Sequence, residues 1–234
     1  MIQSVTTPDE RADLPKISDG VFVARADVED WAFEPVSHRA MERLLDCDYP
    51  QWQAARSDEW RAWFAATRHF AKTMVARVAD VHIDDVEMRR TTFRRPEFVL
   101  RGSGRRPVAD ANLAHTRSTA VMAVSVRGPI GVDVEAADRK LDSSGFAQAV
   151  CHPEELQIYE RLGPQARQQM LVRVWTWKEA ATKAMGTGLT TQFASLRAHL
   201  ALAEVIDPRG GRWRVHTLRG GGYQAAVASE ARHA

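Results

Sequence analysis

The sequence predicts an α/β protein, and three observations carry that expectation. Short extended runs rich in β-branched residues alternate with longer stretches whose apolar residues recur at helical spacing, in both halves of the chain. No Gly/Ser- or Pro-rich linker separates the halves, so any two lobes are packed rather than tethered. Ala26-Asp27-Val28-Glu29 is echoed by Val132-Asp133-Val134-Glu135, each after an apolar stretch and before a long helical region. Such an echo is equally compatible with a duplicated α/β unit and with chance.

In chain order, residues 1–19 read as a loosely docked leader, and Val21–Ala24 as a strand opening after Gly20. Helical spacing runs over 37–45 and again over 57–81, where Trp60, Phe64, Ala71, Val75 and Val78 share one side. Ser57 followed by Asp58 and Glu59 suits the positive end of a helix. Strands are expected at 86–93 and 98–100, followed by a loop from Gly102 to Pro107. Further strands at 111–114, 119–126 and 130–135 are separated by a Gly128-Pro129 turn. Helices follow over 143–150, 153–162 and 165–186, the last stopped by Gly186. The C-terminal part reads as extended at 194–202, 212–218 and 224–228, with glycine turns between.

Composition excludes several classes. The 234 residues suffice for one large domain or two small ones, and 44% hydrophobic with 26% charged residues is ordinary for a globular protein. A net charge of +2 does not suggest nucleic acid as a general partner. Arg89, Arg90, Arg94, Arg95, Arg101, Arg105 and Arg106 crowd the middle of the chain, as either a solvated basic loop or a surface for a phosphate or acidic partner. Two cysteines, Cys47 and Cys151, make no metal or disulfide framework. With no signal peptide and no span of ~20 apolar residues, a cytoplasmic protein without membrane partners is expected.

The chemistry concentrates in two segments. In Gly131-Val132-Asp133-Val134-Glu135, the strand period of two puts both carboxylates on one face. Acids that close repel unless a cation lies between them, although an exposed polar strand end would look the same. In Trp175-Thr176-Trp177-Lys178-Glu179-Ala180-Ala181-Thr182-Lys183, Glu179 and Lys183 lie one helical turn apart among tryptophans and alanines, which suits a packed helix better than a surface ion pair. The following Gly186-Thr187-Gly188-Leu189 turn would let backbone approach another group closely. Three oxygen ligands and one mobile cation suit Mg²⁺ and a phosphate-bearing substrate. An acid pair followed by an acid and a lysine also describes metal-dependent nucleases, although the charge and tryptophan context disfavour them. A non-catalytic binding module would be expected to lack one of the carboxylates.

Together with Asn112-x-x-His115-Thr116 upstream, these segments resemble the 4'-phosphopantetheinyl transferases, most closely the larger, surfactin-synthetase-activating type. Cys151-His152-Pro153-Glu154-Glu155-Leu156 falls where that family has an acidic stretch opening a helix. The resemblance implies two similar packed subdomains, 1–109 and 110–234, related by a pseudo-twofold axis with the ligand cleft between them. It implies a monomer that transfers the phosphopantetheine arm of coenzyme A to a serine of an apo acyl or peptidyl carrier protein. Asp133, Glu135 and Glu179 then become the Mg²⁺ ligands, Glu179 the base and Lys183 the phosphate contact. His115, with Thr116 beside it, matches the family histidine at the 3'-phosphate. Arg61 and Arg68, on Arg61-x-x-Phe64-x-x-x-Arg68, match an arginine-bearing helix of the family. Arg105 and Arg106 stand in Gly104-Arg105-Arg106-Pro107, where the family carries Gly-Lys-Pro at the adenine. Ala114 departs from a serine common at that place. The stretch 141–173 is the expected carrier surface.

Overall fold

A computed structural model describes residues 16–32, 37–91, 95–103, 107–116, 119–141, 145–220 and 222–231. It is a mixed α/β protein whose chain divides into two compact units. One comprises the described residues up to Leu113 and 119–128; the other comprises Ala114–Thr116 and the described residues from Pro129 onward.

The first unit is built on a six-stranded sheet in the order β1-β2-β6-β5-β4-β3. Its strands are β1 (Lys16–Ser18), β2 (Val21–Asp27), β3 (Val86–Arg90), β4 (Pro96–Leu100), β5 (Pro107–Thr116) and β6 (Thr119–Ser125). The expected leader thus contributes an edge strand at its end. Helices α1 (His38–Leu45), α2 (Tyr49–Ala54) and α3 (Asp58–Ala79) complete the unit. Ser57 caps α3 by accepting from the Trp60 N–H at 3.2 Å, as its place before two acids leads one to expect. The helix ends at Asp80, which takes the left-handed conformation with φ 54°. Phe70, Met74 and Val75 of α3 pack with Trp31, Val86, Met88, Phe98 and Met122 to form this unit's core. The short helix α2 has only partly buried or exposed side chains, and its apolar periodicity is too brief to read from sequence.

The second unit carries a five-stranded sheet in the order β7-β11-β10-β9-β8. Its strands are β7 (Ile130–Ala136), β8 (Arg197–His199), β9 (Glu204–Ile206), β10 (Arg212–Gly220) and β11 (Tyr223–Glu230), and each strand runs antiparallel to its neighbours. Helices α4 (Phe146–Val150), α5 (Pro153–Glu160) and α6 (Pro164–Met185) accompany it. The expected extended run 194–202 is broken by a 3₁₀ turn at Phe193–Ser195 and leaves only the short β8. Helix α6 begins with Pro at its first turn and closes on Gly186 at φ 75°. Ala180, Ala181 and Ala184 let α6 lie close on the sheet, where Trp177 packs with Leu196, Trp213, Val215, Ala226 and Ala228. Each unit therefore sets a 22-residue helix, α3 or α6, against its own antiparallel sheet.

Candidate active site

Strand β7 and helix α6 meet through a glycine. A Cβ on Gly131 would lie 2.1 Å from the Ala180 carbonyl oxygen and 2.4 Å from the Ala184 nitrogen, so no other residue fits. In the Gly186–Leu189 turn, a Cβ on Gly188 would meet nothing within 4 Å, and that glycine serves a φ of 51°. Because β7 lies directly under α6, the side chains two residues on are delivered to the helix's own Glu179 and Lys183.

The Lys183 ammonium donates to Asp133 Oδ1 at 2.7 Å and stands 3.7 Å from Glu179 Oε2. Both carboxylates are buried, with Asp133 at 7% and Glu179 at 8% exposure, so this is no solvated surface pair. Burial pushes the Asp133 carboxyl above its ordinary value, against the pull of Lys183. Glu179 is raised by burial first and then by the charges of Asp133 and Glu135, again opposed by Lys183. Asp133 Oδ2 is buried with no hydrogen-bond partner. Glu135 is held differently: its Oε1 accepts from Trp175 Nε1 at 2.8 Å and from Arg139.

Among the described residues, no three His, Cys, Asp or Glu side chains are drawn close enough to hold a metal ion in this arrangement. The positive charge between Asp133 and Glu179 is the lysine's own. The donor set nonetheless fits a hard divalent cation, because two buried carboxylates with raised pKa and one orphaned oxygen gain from added positive charge.

Lys178, next to Glu179, is fully buried and faces away from this cluster. Its Nζ donates to Glu155 Oε2 at 2.7 Å, the Val150 carbonyl at 2.8 Å and the Phe193 carbonyl at 3.2 Å. Glu155 also accepts from the His152 N–H at 2.9 Å, completing a capping box on α5, and from the Ala198 N–H. The acidic stretch that opens α5 is thus the anchor of a buried lysine. The two tryptophans also have different partners, since Trp175 holds Glu135 whereas Trp177 donates to Thr217 at 2.8 Å.

His115 and Thr116 lie at the end of β5, among the three residues of that strand that belong to the second unit, and His115 is exposed. Arg61 and Arg68 lie on α3 of the first unit. Arg61 donates to Asp58 at 3.0 Å and to the Ala55 carbonyl at 2.5 Å. Arg68 donates to Asp48 at 2.8 Å and stacks over Phe64. Arg105 and Arg106, with the register of their loop, lie outside the described residues.

The described members of the central arginine cluster are each paired with a carboxylate. Arg89 pairs with Glu87, Arg90 with Asp48, Arg95 with Asp110 and Arg101 with Asp46. Asp46, at φ 45°, gathers Lys72, Arg101 and the Met88 N–H at 2.7 Å each. Neither sequence reading of these arginines anticipated buried acids from Asp46-Cys47-Asp48. A short acid pair at a helix end carries no periodicity that would reveal its partners.

The match to a family model falls on the second unit. Residues 129–233 match the model of the 4'-phosphopantetheinyl transferase superfamily. The 4'-phosphopantetheinyl transferase HetI of Nostoc sp. (strain PCC 7120) is 33% identical over 78 residues, 33% of this chain and 33% of that protein. The Synechocystis sp. (strain PCC 6803) protein slr0495, named as a candidate 4'-phosphopantetheinyl transferase, is 33% identical over 79 residues, 34% of this chain and 32% of its own. The aligned part thus spans about a third of the length of these curated relatives. Asp133, Glu135, Glu179, Lys183 and the glycine beneath them all lie in the stretch that is similar to the 4'-phosphopantetheinyl transferase superfamily.

Proposed function

We propose that this protein transfers the 4'-phosphopantetheine arm of coenzyme A to a serine of an apo carrier protein, in a Mg²⁺-dependent reaction that releases 3',5'-ADP. The observation that carries this reading is the convergence of Asp133, Glu179 and Lys183 over Gly131, within the residues that match the superfamily. Asp133, Glu135 and Glu179 are assigned to hold the ion, which would neutralise charge on the diphosphate as its phosphorus–oxygen bond breaks.

Glu179 takes the proton of the carrier serine, directly or through water, and burial raises its basicity for that role. The serine oxygen bonds to phosphorus, and the electron pair of the broken bond leaves on the ADP phosphate. Lys183 moves from its carboxylates to phosphate oxygens as a point charge. Glu135 is kept in place by Trp175. His115, Thr116, Arg61, Arg68, Arg105 and Arg106 are assigned by resemblance to the 3'-phosphate and adenine. Residues 1–109 then serve the nucleotide end and 110–234 the reacting end. The surfactin-activating type, a single-chain enzyme and a cytoplasmic setting belong to the same reading.

Incubation with coenzyme A, Mg²⁺ and a panel of apo carriers from fatty-acid, polyketide and peptide synthesis tests it by intact mass. A phosphopantetheine mass gain on at least one carrier is expected. No gain on any carrier overturns the proposal.

A further inference from the structure

A second cluster of polar groups lies on the α6 side of the same sheet, beyond Glu135, and none of them has a role in the reaction above. Trp213 and Val215 of β10 pack in the core with α6, and Thr217 takes the Trp177 indole N–H. Strand alternation puts Arg219 next on that face. Arg219 pairs across the sheet with Gln224, and Gln224 pairs with Glu135, so the three form one row over β10, β11 and β7. Arg173 lies on α6 one turn before Trp177, above the Arg219 end of the row.

This row carries donors without acceptors. Gln224 is 9% exposed, and its Nε2 is buried with no hydrogen-bond partner. Arg173 Nε is likewise buried and unpartnered. Among the described residues no carboxylate pairs with Arg173 or Arg219. Burial and then the Arg219 charge push the Arg173 pKa down. Glu135 at the far end does not relieve them, since its Oε1 serves Trp175 and Arg139. Buried N–H groups left without acceptors are unfavourable, and so is the repulsion that the exposed Arg219 exerts on Arg173. One anion with several acceptor oxygens removes both penalties. Donors from a helix above and two strands below suit a tetrahedral oxyanion, and guanidinium forks suit phosphate oxygens.

We propose that Arg173, Arg219 and Gln224 form a phosphate-binding site beside the acid cluster. Its occupant is free inorganic phosphate or diphosphate, or a phosphate group of a larger substrate. The site stands on its own geometry and does not depend on the transfer reaction.

The test follows the arginine Nε–Hε resonances of the full chain by NMR, with the Arg173 signal assigned through Arg173→Lys. Titration with inorganic phosphate or diphosphate should move the Arg173 signal as its N–H gains an acceptor. Arg219→Gln should weaken that binding about tenfold, the loss expected for one charge-assisted hydrogen bond. Gln224→Leu, which fills the same space without the amide, should weaken it as well. Arg197→Gln, which breaks only an exposed pair with Glu154, should not change it. If the Arg173 signal moves with coenzyme A and not with the inorganic anions, the site belongs to a phosphate of a bound substrate. An Arg173 signal that none of these ligands moves overturns the proposal, as does an unchanged affinity in Arg219→Gln. No transfer is measured, so failure here leaves the proposed function standing, and phosphate binding without transfer would show the reverse.

Discussion

Gly131 lies so close under Ala180 that a methyl group on it would come within 2.1 Å of the Ala180 carbonyl oxygen. Both atoms nearest that methyl are helix backbone, which cannot rotate away as a side chain can. Gly131→Ala should therefore lift α6 from β7, costing ~3 kcal/mol or more, at the upper end of what overpacking usually costs. The check is a chemical denaturation midpoint, with Gly163→Ala as a comparison. Gly163 has φ −72° and nothing within 4 Å of an added Cβ, so that change should stay within ~1 kcal/mol. Equal midpoints for the two variants would refute the close-packing argument.

Asp133 and Glu179 make the protein's stability depend on pH in a defined direction. Burial holds their carboxyls above the ordinary values of 3.8 and 4.5. A carboxyl whose pKa is raised on folding binds its proton more tightly in the folded state. It supports the fold fully below its unfolded value and withdraws that support as pH rises through the folded value. Asp133→Asn should melt higher than the parent at neutral pH, and its melting temperature should fall less steeply from pH 4 upward. Melting curves across this range decide it; a lower melting point at neutral pH would mean that the lost Lys183 pairing outweighs the relief.

Lys183 occupies the charge position between Asp133 and Glu179. A divalent cation must displace its ammonium to use both carboxylates. In the absence of coenzyme A, Lys183→Met should bind Mn²⁺ about tenfold more tightly, a shift of ~1.4 kcal/mol. Transfer by the same variant should fall, because the phosphate contact is gone. Calorimetric titration measures the first effect, and weaker Mn²⁺ binding would contradict it. Asp133→Ala should lose both metal binding and transfer while keeping its circular dichroism spectrum.

The Lys178–Glu155 pair is structural. Lys178→Met strips a buried carboxylate of its cation and should cost ~3–5 kcal/mol. Adding Glu155→Gln should recover part of that loss, because the amide keeps an acceptor for the Ala198 N–H. A double-mutant cycle in urea measures the coupling, and additive losses would mean that the pair is not coupled.

Arg61 and Arg68 carry a discriminating test. If they take the 3'-phosphate, Arg61→Ala and Arg68→Ala weaken coenzyme A binding more than binding of 3'-dephospho-coenzyme A. Equal losses would assign them to their partners Asp58 and Asp48 alone. Arg68→Ala should also lower stability, since Asp48 is buried and relies on Arg68 and Arg90 for its charge balance.

Local periodicity determined much of this protein before any fold was known. A period of two put Asp133 and Glu135 on one strand face, and a spacing of four put Glu179 and Lys183 on one helix face. The serine cap of α3 and the glycine stop of α6 were legible for the same reason, since each is a contact within one turn of chain. Tertiary structure decided what no local pattern encodes: which strand lies under which helix, and in what register. Only pairing between β7, β11 and β10 places Gln224 and Arg219 beside Glu135. Packing across some 50 residues alone shows why position 131 is glycine and that Lys183 is the cation paired with Asp133. Arg90 and Arg101 read from sequence as exposed because their partners Asp48 and Asp46 are remote in the chain; burial of those acids fixes the two arginines to them.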